Sequence, residues 1–328
     1  MITAQDAEFH PPDEAEPSWA ETNYFGFYVP DVPLNGGIYA LFRPNLGVVN
    51  TTVSLNSRKI EAPWQANYWD MQVHVPIPDN RSLLEYDLAT GLSVRCREPN
   101  KVWDVDYDDG EGTEIHFRYT ALMEAFDIHD PDQDPMVEAQ SSGSNFAWGT
   151  AYNGHFDQTG HFEGEIVLHG KRHTLDCVST MDHSWGPREE RTRTPMSWLH
   201  AHFSKDLAMH GIFSFDPEVA PDGTSALQLT HGYLLHDGEM VGLKEGDGTT
   251  ERDGLYATTT HLRVVDRHDR EWIMDGTQQT TFPWQAWPGV VGFNVLHEWR
   301  CGEETGHGEV MDFLGLGHLT AIYEGHAP

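Results

Sequence analysis

The chain has 328 residues, with 20 Lys and Arg against 52 Asp and Glu and a formal charge of -32. That length is long for one hydrophobic core, since single cores stop growing near ~250–300 residues, and it suits two modules. With lysine only at positions 59, 101, 171, 205 and 244, so acidic a surface repels phosphate backbones and anionic lipid, which excludes nucleic acid and acidic membranes as expected partners.

Residues 1–20 form an acidic, Pro-rich N-terminal segment without the basic and apolar regions of an export signal. No apolar run reaches the ~18 residues needed to insert across a bilayer. Cys96, Cys177 and Cys301 are odd in number and widely spaced, which fits a reducing compartment better than a disulfide framework. The expectation is a soluble, cytoplasmic protein, with self-association as a homodimer compatible with it.

Apolar residues recur at every second position far more often than with helical spacing, an all-β signature. In chain order, Asn23–Tyr28 holds an aromatic-Gly pair, Phe25-Gly26, that reads as an echo of Trp185-Gly186 and suggests a duplicated module. Strands are expected at Gly37–Phe42, Leu92–Cys96, Ile115–Tyr119, Gly164–Leu168, Gly211–Phe215 and His261–Val265. Turns fall at Asp109-Gly110, Asn153-Gly154, His169-Gly170, Asp222-Gly223, Asp237-Gly238 and Asp253-Gly254, where a positive φ suits tight hairpins. Tyr119 to Phe126 reads as strand and Asp127 to Ser144 as an exposed connection. Modules of ~150 residues with some eight up-and-down strands match lipocalin-type barrels. The predicted architecture is all-β: two tandem lipocalin-like (calycin) antiparallel barrels, at residues 21–160 and 161–328.

The run Thr180-Met181-Asp182-His183-Ser184-Trp185-Gly186-Pro187-Arg188 is the richest in chemistry. It follows a strand pair, Ile166 to Val178, with a turn at Gly170. Together with the closing Gly308-Glu309-Val310-Met311-Asp312-Phe313-Leu314-Gly315, it resembles the hydroxyneurosporene synthase / carotenoid 1,2-hydratase superfamily, with its AttH-like and Diels–Alderase relatives. That family ends a strand in Asp-(His/Arg)-x-Trp-Gly. The chain departs from it in having Ser179-Thr180-Met181 before the acid and Asp312 in place of the commoner Glu. The resemblance implies a tandem lipocalin-like fold, and isoprenoid or steroid-like substrates.

A carboxyl in an apolar barrel mouth keeps its proton near neutral pH, so Asp182 is the candidate general acid, with His183 and His202 as relay or base. The competing reading makes Asp182 a turn cap or an ion-pair partner of Arg188. Neighbours on an extended strand point to opposite faces, so which of Asp182 and His183 enters the cavity stays open. Trp185, Trp198 and Trp299 would stabilise developing positive charge. His200 and His202 share a face with Trp198; they line a pocket, or with His183 or His210 hold zinc or iron, or sit in an interface. Phe282–Gly289, with Trp284 and Trp287, reads as a lid or a packed corner, and His297 shares a face with Trp299. Gly-x-Gly-x-x-Gly, Walker, Gly-x-Ser-x-Gly and Cys-x-x-Cys signatures are missing. The sequence thus favours an acid–base enzyme without cofactor or metal: a hydratase or dehydratase, cyclase or isomerase acting on a hydrophobic unsaturated small molecule. The alternatives are a carrier for such a ligand and a His-ligated metal enzyme.

Overall fold

The computed structural model describes residues 1–11, 16–79, 82–137, 153–188, 195–216 and 223–325. Alternation of apolar and polar residues, broken by Gly-containing turns, produces nineteen strands among the described residues, in two compact units. The first unit comprises residues 1–55, 67–127 and 150–188; the second comprises 56–66, 128–149 and 189–328.

The first unit carries β1 (Trp19–Val29), β2 (Leu34–Arg43), β3 (Val48–Asn56), β4 (Tyr68–Pro76), β5 (Glu85–Asp87), β6 (Leu92–Glu98), β7 (Val102–Asp108), β8 (Glu114–Ala121), β9 (Phe126–Asp127), β10 (Gly154–Leu168) and β11 (Lys171–Pro187). They form one 11-stranded sheet in the order β4-β3-β2-β1-β11-β10-β8-β7-β6-β5, with β9 paired beside β10. One face is filled by Phe25, Phe27, Trp103, Phe117, Tyr119 and Phe162, all buried. Their rings meet edge-on or tilted at centroid distances of 5.1 to 6.3 Å, contacts that contribute about 0.5–1.5 kcal/mol each beyond the area they bury.

The second unit carries β12 (Met196–His202), β13 (Leu207–Phe215), β14 (Thr224–His236), β15 (Glu239–Asp253), β16 (Tyr256–Asp266), β17 (Glu271–Trp287), β18 (Val290–Cys301) and β19 (Glu304–Gly315), then the helix α1 (Leu316–Glu324). These eight strands run in sequence order and close as β19 pairs with β12. Every strand contributes to the apolar interior, with Leu199, Met209, Leu234, Leu243, Leu262, Met274, Trp299 and Val310 among its members. The tight turns work as expected at His169-Gly170 (φ 51° and 75°) and Asp237-Gly238 (φ 51° and 79°), which place both central residues in the left-handed region.

The six short strands expected between Gly37 and Val265 are all present, but two organising expectations change. The division expected at 160/161 falls inside β10, and β11 pairs with β1, so β10 and β11 complete the first unit. The aromatic-Gly echo does not mark matching positions of two modules: Phe25 and Gly26 lie opposite Met181 and Thr180, and Trp185 lies opposite Glu21, in one sheet. The cause is the long β10–β11 hairpin, whose turn lets β11 return along the whole of β10 and reach β1.

Smaller differences follow local chemistry. β8 ends at Ala121, and only Phe126 and Asp127 of the following stretch are strand. The stretch after Asp127 is not simply exposed: Ile128 is buried, and Asp134 is buried against Nδ1 of His231. Residues 138–144 of that expected connection, and Asp222, lie outside the described residues. Gly154 begins β10 rather than a turn, with the N–H of Asn153 donating to the Trp185 carbonyl at 2.9 Å. Phe282–Trp287 is strand, not lid, and Trp284 and Trp287 pack on Phe313 of β19. β17 tolerates Pro283 because its paired register with β16 stops at Thr277. Beyond that point its free edge is met by residues 58–60: the N–H of Thr281 donates to the Arg58 carbonyl and that of Ile60 to Oγ1 of Thr281.

Candidate functional site

β11 stays extended through the Asp-His-Ser-Trp run, so its side chains alternate and the run is split between two faces of the first sheet. Asp182, Ser184 and Arg188 lie on one face; His183 and Trp185 lie on the other, with the aromatic filling. Gly186-Pro187 does not interrupt the strand: Gly186 takes φ 132° and still pairs with Ala20. The tight spot there is the Asn153 amide, 2.5 Å from where a Cβ would stand.

On the Asp182 face, strand register builds a row: Tyr39, Tyr24, Asp182, Asp157 and Phe126 lie side by side on β2, β1, β11, β10 and β9. Two carboxyls directly opposite each other repel when both are ionised. Asp157 is buried and takes Nε2 of His155 at 3.0 Å. Asp182 is enclosed by protein atoms yet keeps some accessible surface. Burial, reinforced by Asp157, pushes its carboxyl up from the ordinary 3.8 to about 7, against the opposing pull of His155, Arg188 and the Thr22 hydroxyl. Arg188 Nη2 donates to Oγ of Ser184 at 2.5 Å, and that hydroxyl meets Oγ1 of Thr22 at 2.7 Å. The guanidinium thus engages Ser184 while its charge also acts on the acid.

On the opposite face, burial pushes the His183 imidazole down to about 3, so it is neutral. Its Nδ1 donates to the Thr22 carbonyl at 2.6 Å, which leaves Nε2 as the bare acceptor. Trp185 stacks on His10 at 3.7 Å with the planes 7° apart, and its ring fills the space above Gly154, where a Cβ would come within 2.0 Å of it. His10 in turn meets Glu21 and Asp6, each at 3.2 Å. The first eleven residues are thus structured: Thr3 caps a turn at Ala4–Ala7, and Phe9 packs edge-on against Phe42.

The remaining expected residues belong to the second unit. Trp198, His200 and His202 alternate with Leu199 and Ala201, which face the barrel interior, and therefore point outward from it. The two imidazoles meet Nδ1 to Nδ1 at 3.2 Å, and His200 Nε2 lies 3.7 Å from Glu309. Burial, with His200 and His210 adding to it, drives the His202 imidazole well below its ordinary value, so it is neutral. Trp198 packs edge-on against His200 and His210. His297 and Trp299 face inward; His297 Nε2 meets the Thr260 hydroxyl at 3.2 Å, Trp299 Nε1 donates to the Gly308 carbonyl, and burial holds His297 down at about 3. Elsewhere in this unit Arg252 and Asp312 form a buried ion pair at 2.7 Å. Within the first unit the imidazole that acts on the Asp182 carboxyl is that of His155, not the adjacent His183.

The profile of DUF7064, a domain of unknown function, matches residues 3–311. The chain belongs to the DUF7064 family. Three solved structures share its fold. An AttH protein from Nitrosomonas europaea is 13% identical with a TM-score of 0.61, each chain covered over 96%. CghA is 11% identical with a TM-score of 0.58, over 91% of this chain and 88% of the other. Kievitone hydratase from Nectria haematococca is 11% identical with a TM-score of 0.52, over 96% and 93%. The tandem lipocalin-like fold implied by the sequence resemblance is thereby shown. No curated protein matches in sequence.

In this DUF7064 chain, sequence reasoning missed Asp157, His155, Tyr24, His10 and Glu21. The signal for the first was present: counting back equal steps from the His169-Gly170 turn places Asp157 opposite Asp182. His10 and Glu21 gave no such signal, because an acidic Pro-rich segment carries no period that would tie it to a distant strand.

Proposed function

We propose that this chain is an acid–base enzyme that adds or removes water, or cyclises or isomerises, on a hydrophobic unsaturated small molecule with a polar handle. Isoprenoid and steroid-like compounds are the class proposed. The observation that carries the reading is the Asp182 carboxyl, which holds its proton to about pH 7 directly across from Asp157. A carboxylic acid that is still protonated at working pH is matched to proton delivery. In a hydration, the Asp182 O–H protonates one alkene carbon and the cation forms at the other. Water attacks that carbon and gives its proton to the Asp157–His155 pair, and a proton returns to Asp182 to close the cycle. Tyr24, beside Asp182 in the cross-strand row, is the aromatic residue proposed to stabilise developing positive charge. The role expected of Trp185 at the acid passes to Tyr24, since Trp185 lies on the other face. The kinship in fold to a protein named as a hydratase supports the reaction class.

The test is turnover by wild type and Asp182→Asn on a panel of alkene-bearing terpenoids and phenolics in isotopically labelled water, read by mass spectrometry as gain of labelled oxygen. The expected result is a loss of about 10²–10⁴-fold in the variant, with ligand affinity retained. Undiminished turnover by Asp182→Asn would refute the assignment, and saturable binding by wild type with no turnover of any bound compound would make the protein a carrier.

A further inference from the structure

His10, Glu21 and His183 come from three separate parts of the sequence, yet each offers a ligand atom within 4.8 Å of the others. They lie on the aromatic-filled face of the first sheet, away from Asp182. His10 Nδ1 is 3.2 Å and His183 Nε2 is 3.9 Å from the same Glu21 oxygen. With metal–ligand bonds of ~2.0–2.2 Å, neighbouring ligand atoms stand about 3.0–3.5 Å apart, so small side-chain rotations close the set around one ion.

The surroundings are those of a metal site rather than of a chance ion pair. Each imidazole is held by its other nitrogen: His10 Nε2 by Oδ1 of Asp6 at 3.2 Å, and His183 Nδ1 by the Thr22 carbonyl at 2.6 Å. A carboxylate or carbonyl behind a histidine fixes its tautomer and aims the free nitrogen's lone pair at a metal. Glu21 is oriented in the same way, accepting from Trp19 Nε1 at 3.2 Å and from the His10 backbone N–H at 3.0 and 3.1 Å. Most telling, His183 Nε2 is buried without a hydrogen-bond partner, on a side chain only 2% exposed, and it points at this cluster. An orphaned acceptor of that kind is costly unless something electrophilic meets it.

We infer that His10, Glu21 and His183 bind one divalent first-row transition-metal ion, of the zinc(II), iron(II) or cobalt(II) type, as a two-histidine, one-carboxylate site. Two imidazoles and one carboxylate leave coordination positions for water or an oxygen-bearing ligand. The sequence offered His200 and His202, with His183 or His210, as a candidate metal set; the inferred site lies instead in the first unit, where the N-terminal segment supplies a ligand.

Cobalt(II) is the probe. Chelator-treated full-length protein is titrated with cobalt(II) while its visible absorption and thermal unfolding are followed, and zinc(II) is then added in competition. The expected result is a saturable, stoichiometric spectrum that zinc abolishes, with a rise in Tm as the ion binds the folded state. His183→Gln loses the spectrum. Asp6→Asn, which touches no metal and lies in the partly exposed N-terminal turn, keeps the fold and weakens affinity about 10–100-fold. His202→Gln leaves both readouts as in wild type. Wild-type protein with no cobalt spectrum and no change in Tm overturns the site, and so does cobalt binding that survives His183→Gln or fails in His202→Gln.

Discussion

Replacing Asp182 by Asn separates a protonated acid from an ionised ion-pair partner, because the two respond oppositely to pH. The folded-state value of about 7 lies above the ordinary 3.8, so the native state holds this proton more tightly than the unfolded chain does. Stability from the group is therefore fully present below about pH 4 and is lost as pH rises through about 7. A shift of about three units corresponds to about 4 kcal/mol at most, and the surface that Asp182 keeps accessible lowers that to about 2–3 kcal/mol. The amide of Asn cannot ionise and escapes the loss. Urea and thermal unfolding at about pH 5.5 and about pH 8.5 cover roughly half of the window, so Asp182→Asn gains about 1–2 kcal/mol on wild type between the two pH values, or about 2–8 °C in the Tm of the first unit. If the substitution is equally costly at both pH values, or costs more at the higher one, then Asp182 is ionised against Arg188 and the acid–base reading fails.

Further expectations concern its neighbours and the two cores. In Asp157→Asn the protonated-carboxyl infrared band of Asp182 titrates at lower pH than in wild type, and in His155→Gln at higher pH, because the first removes a like charge and the second an opposing one. Gly154→Ala forces a methyl into the Trp185 ring; a cost of about 1–3 kcal/mol is expected, with a changed near-ultraviolet dichroism as the indole leaves His10. In the second unit, Asp312→Leu alone strands the buried Arg252 guanidinium and costs about 3–5 kcal/mol, whereas Asp312→Leu with Arg252→Met recovers most of it. Chemical denaturation of the three variants checks this, and additive losses would show the two groups to be independent.

The fold class was legible because it rests on local information: alternation along each strand and glycine at the left-handed turn positions. Which strands share a unit was not, because that depends on pairings between residues far apart in sequence. Trp185-Gly186 looked like a second copy of Phe25-Gly26, although β1 and β11 are neighbours. The site was half legible. Asp182 stood out by its company in the sequence, but the face it occupies follows from whether β11 bends at Gly186, and it does not. His183 and Trp185 are adjacent to the acid in sequence and on the other side of the sheet in space. His155 and Asp157 were hidden in plain alternation, and only the register of the hairpin brings them to the acid. His200 and His202 drew attention as a His-x-His pair, although their strand phase turns them away from the interior of their barrel.

The pairing of β1 with β11 also has a consequence for biosynthesis. At ~5–20 residues per second, β1 leaves the ribosome on the order of ten seconds before the strand that lies against it. Until then one hydrogen-bonding edge of β1, with its two tyrosines and two phenylalanines, stays open to any passing strand. The row that holds the two aspartates closes only after β11 has emerged. A nascent chain stalled before that point lacks the strand that shields its seam, so incomplete products of this chain carry an open edge prone to aberrant strand pairing.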